Sequence, residues 1–253
     1  MRTLLVALLL MAGLSAPAHA AEPQPLPTGT DVDYQLGGPA YVPDNVGIVV
    51  RDRTAEPAPG VYNVCYVNGF QTQPDARRYW RKHRDLLLQD GRGRLVEDEA
   101  WGEWLLDVRT KAKREKLAGI VGRWTSGCAR DGFDAVEYDN LDSYSRSRGL
   151  IRAKQAKAFA RLLTGAAHES GLAVGQKNWA TLDGTRLGFD FAVSEECGRY
   201  DECGDYVEHF GDQVLVVEYR ARDFARTCDQ WGPMLSVVLR DLDLSPDGVR
   251  RWC

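Results

Sequence analysis

Histidine is scarce in this chain, with 4 in 253 residues. Past residue 20 only His83, His168 and His209 remain, each isolated, so no His-x-His or His-Glu-x-x-His metal site exists. There is no Cys-x-x-Cys, no Gly-x-Gly-x-x-Gly or phosphate loop, and no Gly-x-Ser-x-Gly elbow. Their absence removes the usual signatures of zinc ribbons, nucleotide binding and serine-hydrolase chemistry. Basic charge is not in excess either: the net charge is −4, which argues against a nucleic-acid partner. The basic residues at Arg77, Arg78, Arg81, Lys82, Arg84 and from Arg109 to Lys116 fall in helix-like segments and read as solvated faces. Repeats and low-complexity tracts are missing as well.

Long apolar runs are absent except at residues 4–14, which follow Arg2 and precede Ala18-His19-Ala20. That order of basic, apolar and small residues predicts a secretory signal peptide over 1–20, cleaved after Ala20. The run is too short for a membrane span. Residues 21–30, with three prolines, are expected to be a flexible lead-in, and 31–253 to form one domain. A secreted monomer that binds no membrane is the expectation. All six cysteines follow the signal segment, and an even count in an exported chain predicts disulfides, with fifteen pairings possible. Cys197 with Cys203 is the natural local pair. Cys228 with Cys253 then pins the C-terminus and leaves Cys65 with Cys128.

Short apolar strands alternate with amphipathic segments. Strands are predicted at 34–37, 46–51, 61–67, 104–108, 133–138, 172–176, 189–194, 214–219 and 235–239. Helical spacing covers 74–88, 111–129, 150–170 and 220–231. This alternation predicts an α/β fold with a parallel sheet. Nearly every apolar run finishes in a polar or charged residue, the mark of a (β/α)8 TIM-type barrel whose working mouth lies at the strands' carboxyl ends. Nine strands is one too many, so the first or the last is expected to be an accessory.

Two segments carry paired acids at strand ends. In Gly132-Phe-Asp-Ala-Val-Glu-Tyr-Asp-Asn-Leu-Asp142, Glu137 and Asp139 share one face by the two-residue period and both point into the barrel, with Asp142 just beyond. In Phe189-Asp-Phe-Ala-Val-Ser-Glu-Glu-Cys197, Glu195 and Glu196 face opposite sides, and periodicity does not say which enters the site. Lys177 and Asn178 end the strand between them, where a lysine orders a carboxylate and favours its ionised form. Asp107 and Arg109 share a face and are expected to pair at the mouth. Glu218 and Tyr219 end a later strand. Two carboxyls facing one cavity are the apparatus of glycoside hydrolysis. Strand-end acids, including Asp33, Asp52 and Asp241, would attract a cationic polymer. Tyr34, Tyr66, Tyr138, Trp179 and Tyr219 are available to stack on sugar faces.

These stretches together resemble glycoside hydrolase family 114, the endo-α-1,4-polygalactosaminidase family. The matching segments are Tyr34-Gln-Leu-Gly-Gly38, Cys65-Tyr-Val-Asn68, Trp104-Leu-Leu-Asp-Val-Arg109, Gly132 to Asp142, Ala167-His-Glu-Ser-Gly-Leu172, Lys177-Asn178, Phe189 to Cys197, Tyr200-Asp-Glu-Cys203 and Val217-Glu-Tyr219. The chain departs from the family at Glu196, where glutamine is commoner, and at Tyr138, where proline is commoner. The resemblance implies a (β/α)8 barrel and acids on the fifth and seventh strands, here Asp139 and Glu195. It implies that Asp139 is the nucleophile and Glu195 the acid and then the base, with retention of configuration. Substrate contacts are expected from Glu137, Asn140, Asp142, Lys177, Asn178, Tyr66, Asp107, Arg109, Glu218 and Tyr219. The implied substrate is an α-1,4-linked galactosamine polysaccharide cut internally, without a cofactor. A secreted carbohydrate-binding barrel without turnover is one alternative, and a metal-dependent polysaccharide deacetylase or phosphodiesterase is another.

Overall fold

The computed structural model describes residues 22–253, so the expected signal peptide lies outside the described residues. Eight parallel strands form the barrel: β1 (Asp31–Tyr34), β2 (Val46–Asp52), β3 (Tyr62–Asn68), β4 (Ala135–Asp139), β5 (Ala173–Lys177), β6 (Phe191–Glu195), β7 (Val214–Glu218) and β8 (Ser236–Arg240). They pair in chain order, and β9 (Arg250–Trp252) adds an antiparallel ninth strand to β8. Among the described residues no backbone ladder joins β1 to β8. Side chains close that seam: Asp33 on β1 accepts from Arg250 at 2.9 Å and faces Arg240 at 3.5 Å, and the Trp252 indole donates to Val32 O at 2.7 Å.

Strand alternation sorts the core into two shells. Val32, Val50, Val64, Ala135, Ala173, Phe191, Val193, Val217 and Val238 fill the barrel interior. Val136, Tyr138, Val174, Ala192 and Val216 face outward against the helices. Gly175 shows how tightly the interior is filled, because a Cβ there would stand 2.4 Å from the Phe191 ring. Residues 22–30 of the lead-in have neither helix nor strand. Leu26 is buried in the interior cluster, and its amide donates to Gln213 Oε1 at 2.9 Å.

The helices obey the same logic. In α1 (Lys111–Asp131), Leu117, Ile120, Val121 and Cys128 form one buried stripe at helical spacing. The Thr110 side chain accepts from the Lys113 amide to start it, and Gly132 at φ 95° ends it in a left-handed cap. α2 (Ala153–Glu169), α3 (Cys203–Phe210) and α4 (Ala221–Trp231) follow β4, β6 and β7. The eight-residue α3 was not anticipated from periodicity.

Two expectations are corrected, and one strand was not anticipated. The surplus strand is neither the first nor the last but 104–108, in the middle. Only Glu103–Trp104 is extended, paired with Glu97–Asp98 in a short hairpin, while Leu105 and Leu106 bridge to Gln71 and Leu87. Its apolar run reflects burial, since all five residues 104–108 are buried. Residues 74–88 are not one helix: a 3-10 turn, one α turn and a second 3-10 segment broken at His83 stand in its place. Leu86, Leu87 and Leu88 are all buried in succession, which an extended exit satisfies and a helix face does not. β9, finally, carries no alternating apolar signal.

The disulfides are Cys65–Cys128, Cys197–Cys203 and Cys228–Cys253, as the spacing suggested. Cys65–Cys128 ties β3 to α1 across a sequence separation of 63. Closing so long a loop limits the unfolded chain by about 4 kcal/mol. Replacing both cysteines by serine is expected to lower unfolding stability by about that amount. A denaturant midpoint equal to wild type would contradict it.

Candidate active site

The parallel strands end at one level, so their last inward residues form a ring at the mouth. Tyr66, Asp139, Lys177, Glu195 and Tyr219 all line a cavity of about 1010 Å³. Asn140, Asp142 and Asn178 line it too. Directly after three of these strands the chain takes left-handed turns at Asn140 (φ 67°), Asn178 (φ 53°) and Glu196 (φ 61°). Asparagine tolerates that conformation, whereas glutamate does so at a cost of about 1–2 kcal/mol. The turn at Glu196 sends its carboxylate to Arg199, at 2.8 Å, and leaves Glu195 facing the cavity.

Lys177 is the hub. Its ammonium is 1% exposed and lies 3.2 Å from Glu137 Oε1, 3.2 Å from Asp139 Oδ2 and 3.3 Å from Glu195 Oε2. It also donates to the Tyr34 hydroxyl at 2.9 Å. Burial alone would favour the neutral amine, but the charges of Asp139 and Glu195 outweigh it and hold the lysine pKa well above its usual value. One nitrogen within 3.2 Å of one carboxylate oxygen and 3.3 Å of the other keeps those two oxygens no more than 6.5 Å apart. Tyr66 donates to Asp139 Oδ2 at 2.9 Å, and the Asn140 amide donates to Oδ1. Glu195 is held by the Tyr219 hydroxyl on Oε1 and by Asn178 Nδ2 on Oε2 at 3.2 Å. Both carboxylates are therefore fixed in plane and position before any ligand arrives.

Not every expected contact residue reaches the cavity. Glu137 shares the inward face with Asp139 but lies one layer lower, fully buried, where it accepts from Tyr34 at 2.7 Å. Burial pushes its carboxyl up to about 7, against the opposing charge of Lys177. Asp107 and Arg109 do pair, at 2.7 Å and 2.8 Å, yet they line no part of the cavity. With Lys113 at 2.6 Å they pin the loop to the first turn of α1, because 104–108 is no barrel strand. Glu218 falls on the outward parity of β7 and takes the Gly198 amide at 2.8 Å beneath the Cys197–Cys203 loop. Tyr138 also points outward, its hydroxyl 2.6 Å from that of Thr125. Trp179 leans on Tyr144 instead of lining the mouth.

Glu103 and Arg146 are among the cavity residues that the sequence patterns did not mark. Glu103, on the hairpin, accepts from Asn68 Nδ2 at 2.9 Å, and burial raises its carboxyl to about 7. Arg146 binds Asp142 at 2.8 Å, Asn140 Oδ1 at 3.0 Å and Asp98 at 2.7 Å, clasping the loop after β4 to the hairpin. Neither stands at a strand end, so no periodicity marks them. Among the described residues the one group of metal-type ligands is Cys197, Cys203 and Glu218, and both sulfurs are already joined in a disulfide.

The Glu137 carboxyl gives the site a pH signature. Its folded value of about 7 stands above the ordinary 4.5, so the stability it contributes is complete below about 4.5 and is lost as pH rises through about 7. The wild-type advantage over Glu137→Gln in melting temperature should therefore shrink across that window. A difference that stays flat from pH 4.5 to pH 8 would contradict the assignment.

A barrel with two carboxylates held at its carboxyl-end mouth has the layout of a glycoside hydrolase. The chain belongs to Glycoside-hydrolase family GH114, whose family model matches residues 13–253. It is thus a glycoside hydrolase, with a polysaccharide as its class of substrate. Comparison with curated proteins finds no match. Among solved structures it is similar to Ega3 of Aspergillus fumigatus in complex with galactosamine, at 19% identity and a TM-score of 0.69, covering 96% of this chain and 100% of that one. It is also similar to the glycoside hydrolase domain of PelA from Pseudomonas aeruginosa, at 15% identity and a TM-score of 0.59, covering 88% and 98%. At these identities the likeness is one of fold.

Proposed function

We propose that the protein is a secreted, endo-acting hydrolase of α-1,4-linked galactosamine polysaccharide. Asp139 attacks the anomeric carbon and the sugar–oxygen bond breaks as Glu195 protonates the departing oxygen. Glu195 then takes a proton from water, whose oxygen displaces Asp139 and frees the sugar. The observation that carries this reading is the single ammonium of Lys177 lying against both carboxylates, at 3.2 and 3.3 Å. The 6.5 Å ceiling this sets on the oxygen separation favours the spacing of about 5 Å found in retaining enzymes over the wider gap of inverting ones. Lys177 orients Asp139, and Tyr219 orients Glu195.

The choice of an amino sugar rests on family membership, on the galactosamine bound by Ega3, and on charge. Eight carboxylates and only two basic groups, Arg146 and Lys177, line the cavity. Such a field raises the capture rate of a cationic polymer and is screened by salt. The value of kcat/KM on the amino polymer is expected to fall about tenfold as ionic strength rises from about 0.01 to about 0.15 M. A salt-insensitive value would contradict the electrostatic part of the reading. Export is supported by the three disulfides, which persist in oxidising surroundings. Among the described residues no helix is long and apolar enough to cross a membrane.

The direct test is to incubate the mature protein with partly deacetylated galactosaminogalactan and size the products over time. Internal cleavage yields a broad early ladder of oligomers. Release of monosaccharide alone would overturn the endo assignment, and no new reducing ends would overturn the hydrolase reading for this polymer.

A further inference from the structure

Trp101 is an exposed large aromatic at the cavity. The residue is 65% exposed, yet it lines the cavity. It stands in the turn of the hairpin formed by Glu97–Asp98 and Glu103–Trp104, and that hairpin is firmly mounted. Arg77 donates to Gly102 O at 2.7 Å and to Glu97 at 3.0 Å, with its guanidinium 5.0 Å above the Trp104 ring. Asp98 at the hairpin base is held by Arg146 at 2.7 Å. In the segment after β8, Leu242 repeats the pattern, lining the same cavity while 66% exposed.

An indole carried on an anchored hairpin is an economical ligand for the apolar face of a sugar ring. It offers a large area at little loss of conformational freedom, and its electron-rich face attracts ammonium groups. The cavity also holds more than one ring, since volumes of about 300–1,000 Å³ accommodate drug-sized ligands. Glu103, two residues along the hairpin from Trp101, is linked through Asn68 to Asn140, the chain neighbour of Asp139, by hydrogen bonds of 2.9 and 3.1 Å. The hydrogen bonds that hold Asp139 and Glu195 come from Tyr66, Asn140, Lys177, Tyr219 and Asn178, so the indole is no part of the cluster that fixes the carboxylates. We infer that Trp101, with Leu242, forms a subsite for a sugar unit remote from the scissile bond, so that the enzyme grips an extended chain. This rests on the polysaccharide-hydrolase reading above and adds where the rest of the polymer lies.

The test compares wild type with Trp101→Ala and Trp101→Tyr on long de-N-acetylated galactosaminan and on a short oligomer of the same sugar. For Trp101→Ala, KM on the long polymer should rise about tenfold, with kcat kept and the short-oligomer rate unchanged. Trp101→Tyr should recover most of the loss. An unchanged KM on the polymer, or an equal loss on both substrates, would overturn the subsite. Should wild type itself leave the polymer uncut, the functional reading fails separately. The subsite is then judged by affinity electrophoresis in gels containing galactosaminan, chitosan or neutral galactan. Weaker retardation of Trp101→Ala in any of them sustains it, and equal retardation in all overturns it.

Discussion

Asp139→Asn and Glu195→Gln are each expected to lower kcat on the amino polymer by at least about 10³-fold while the protein stays folded. The two losses should differ in kind. Asparagine at 139 keeps the shape and the Tyr66 contact but lacks the anionic oxygen that attacks the anomeric carbon. Glutamine at 195 keeps the Tyr219 and Asn178 contacts but has no proton to give. A substrate whose leaving group needs no protonation should therefore recover its first step in Glu195→Gln and recover nothing in Asp139→Asn. Unchanged melting temperatures with near wild-type rates in either variant would remove that residue from the chemistry.

Lys177→Met should damage both stability and turnover. The wild-type ammonium is 1% exposed and stands against three carboxylates, Glu137, Asp139 and Glu195. Methionine fills a similar volume but leaves those acids facing one another without a counter-charge. Breaking a buried ion pair from one side costs about 3–5 kcal/mol, which lowers the melting temperature by about 10 °C in a chain of this size. Turnover should fall as well, because Asp139 loses one of the donors that fix its position. Adding Glu137→Gln removes one of the crowded acids and should restore part of the stability but not the activity. Equal stability of Lys177→Met and wild type would mean that the lysine is not the charge that holds the site together.

The barrel was legible because its signal is redundant. The two-residue period puts Ala135, Glu137 and Asp139 inward, and the packing of Ala135 against the barrel interior bears that out. The same rule sends Glu218 outward, as its contact with Gly198 shows, although its place at a strand end had suggested the mouth. Parity was silent on Glu195 and Glu196, since the strand stops between them, and the family resemblance chose Glu195. The left-handed turn at Glu196 gives the physical reason.

The failures share a cause. Residues 104–108 are an apolar run like that of a barrel strand, but their backbone pairs with Leu87, Leu88 and Phe70 in a layer built on the long excursion after β3. Counting them as a strand agreed with the fifth and seventh positions that the resemblance implied, whereas Asp139 ends the fourth barrel strand and Glu195 the sixth. It also brought Asp107 and Arg109 to the mouth, where they are not. Glu103, Arg146 and Trp101 belong to the same irregular excursion and its clasp. Their placement depends on tertiary contacts such as Asp98 with Arg146, which no local period encodes.

The central claim is that Asp139 forms a bond to the sugar while Glu195 handles the proton. Its most direct measurement uses Glu195→Gln with an α-galactosaminyl fluoride, whose fluoride leaves unprotonated while the later attack by water lacks its base. Peptide mass mapping of the stalled protein should find one hexosamine on the peptide that carries Asp139. Sugar on a different carboxylate, or none while fluoride is released, would contradict the account.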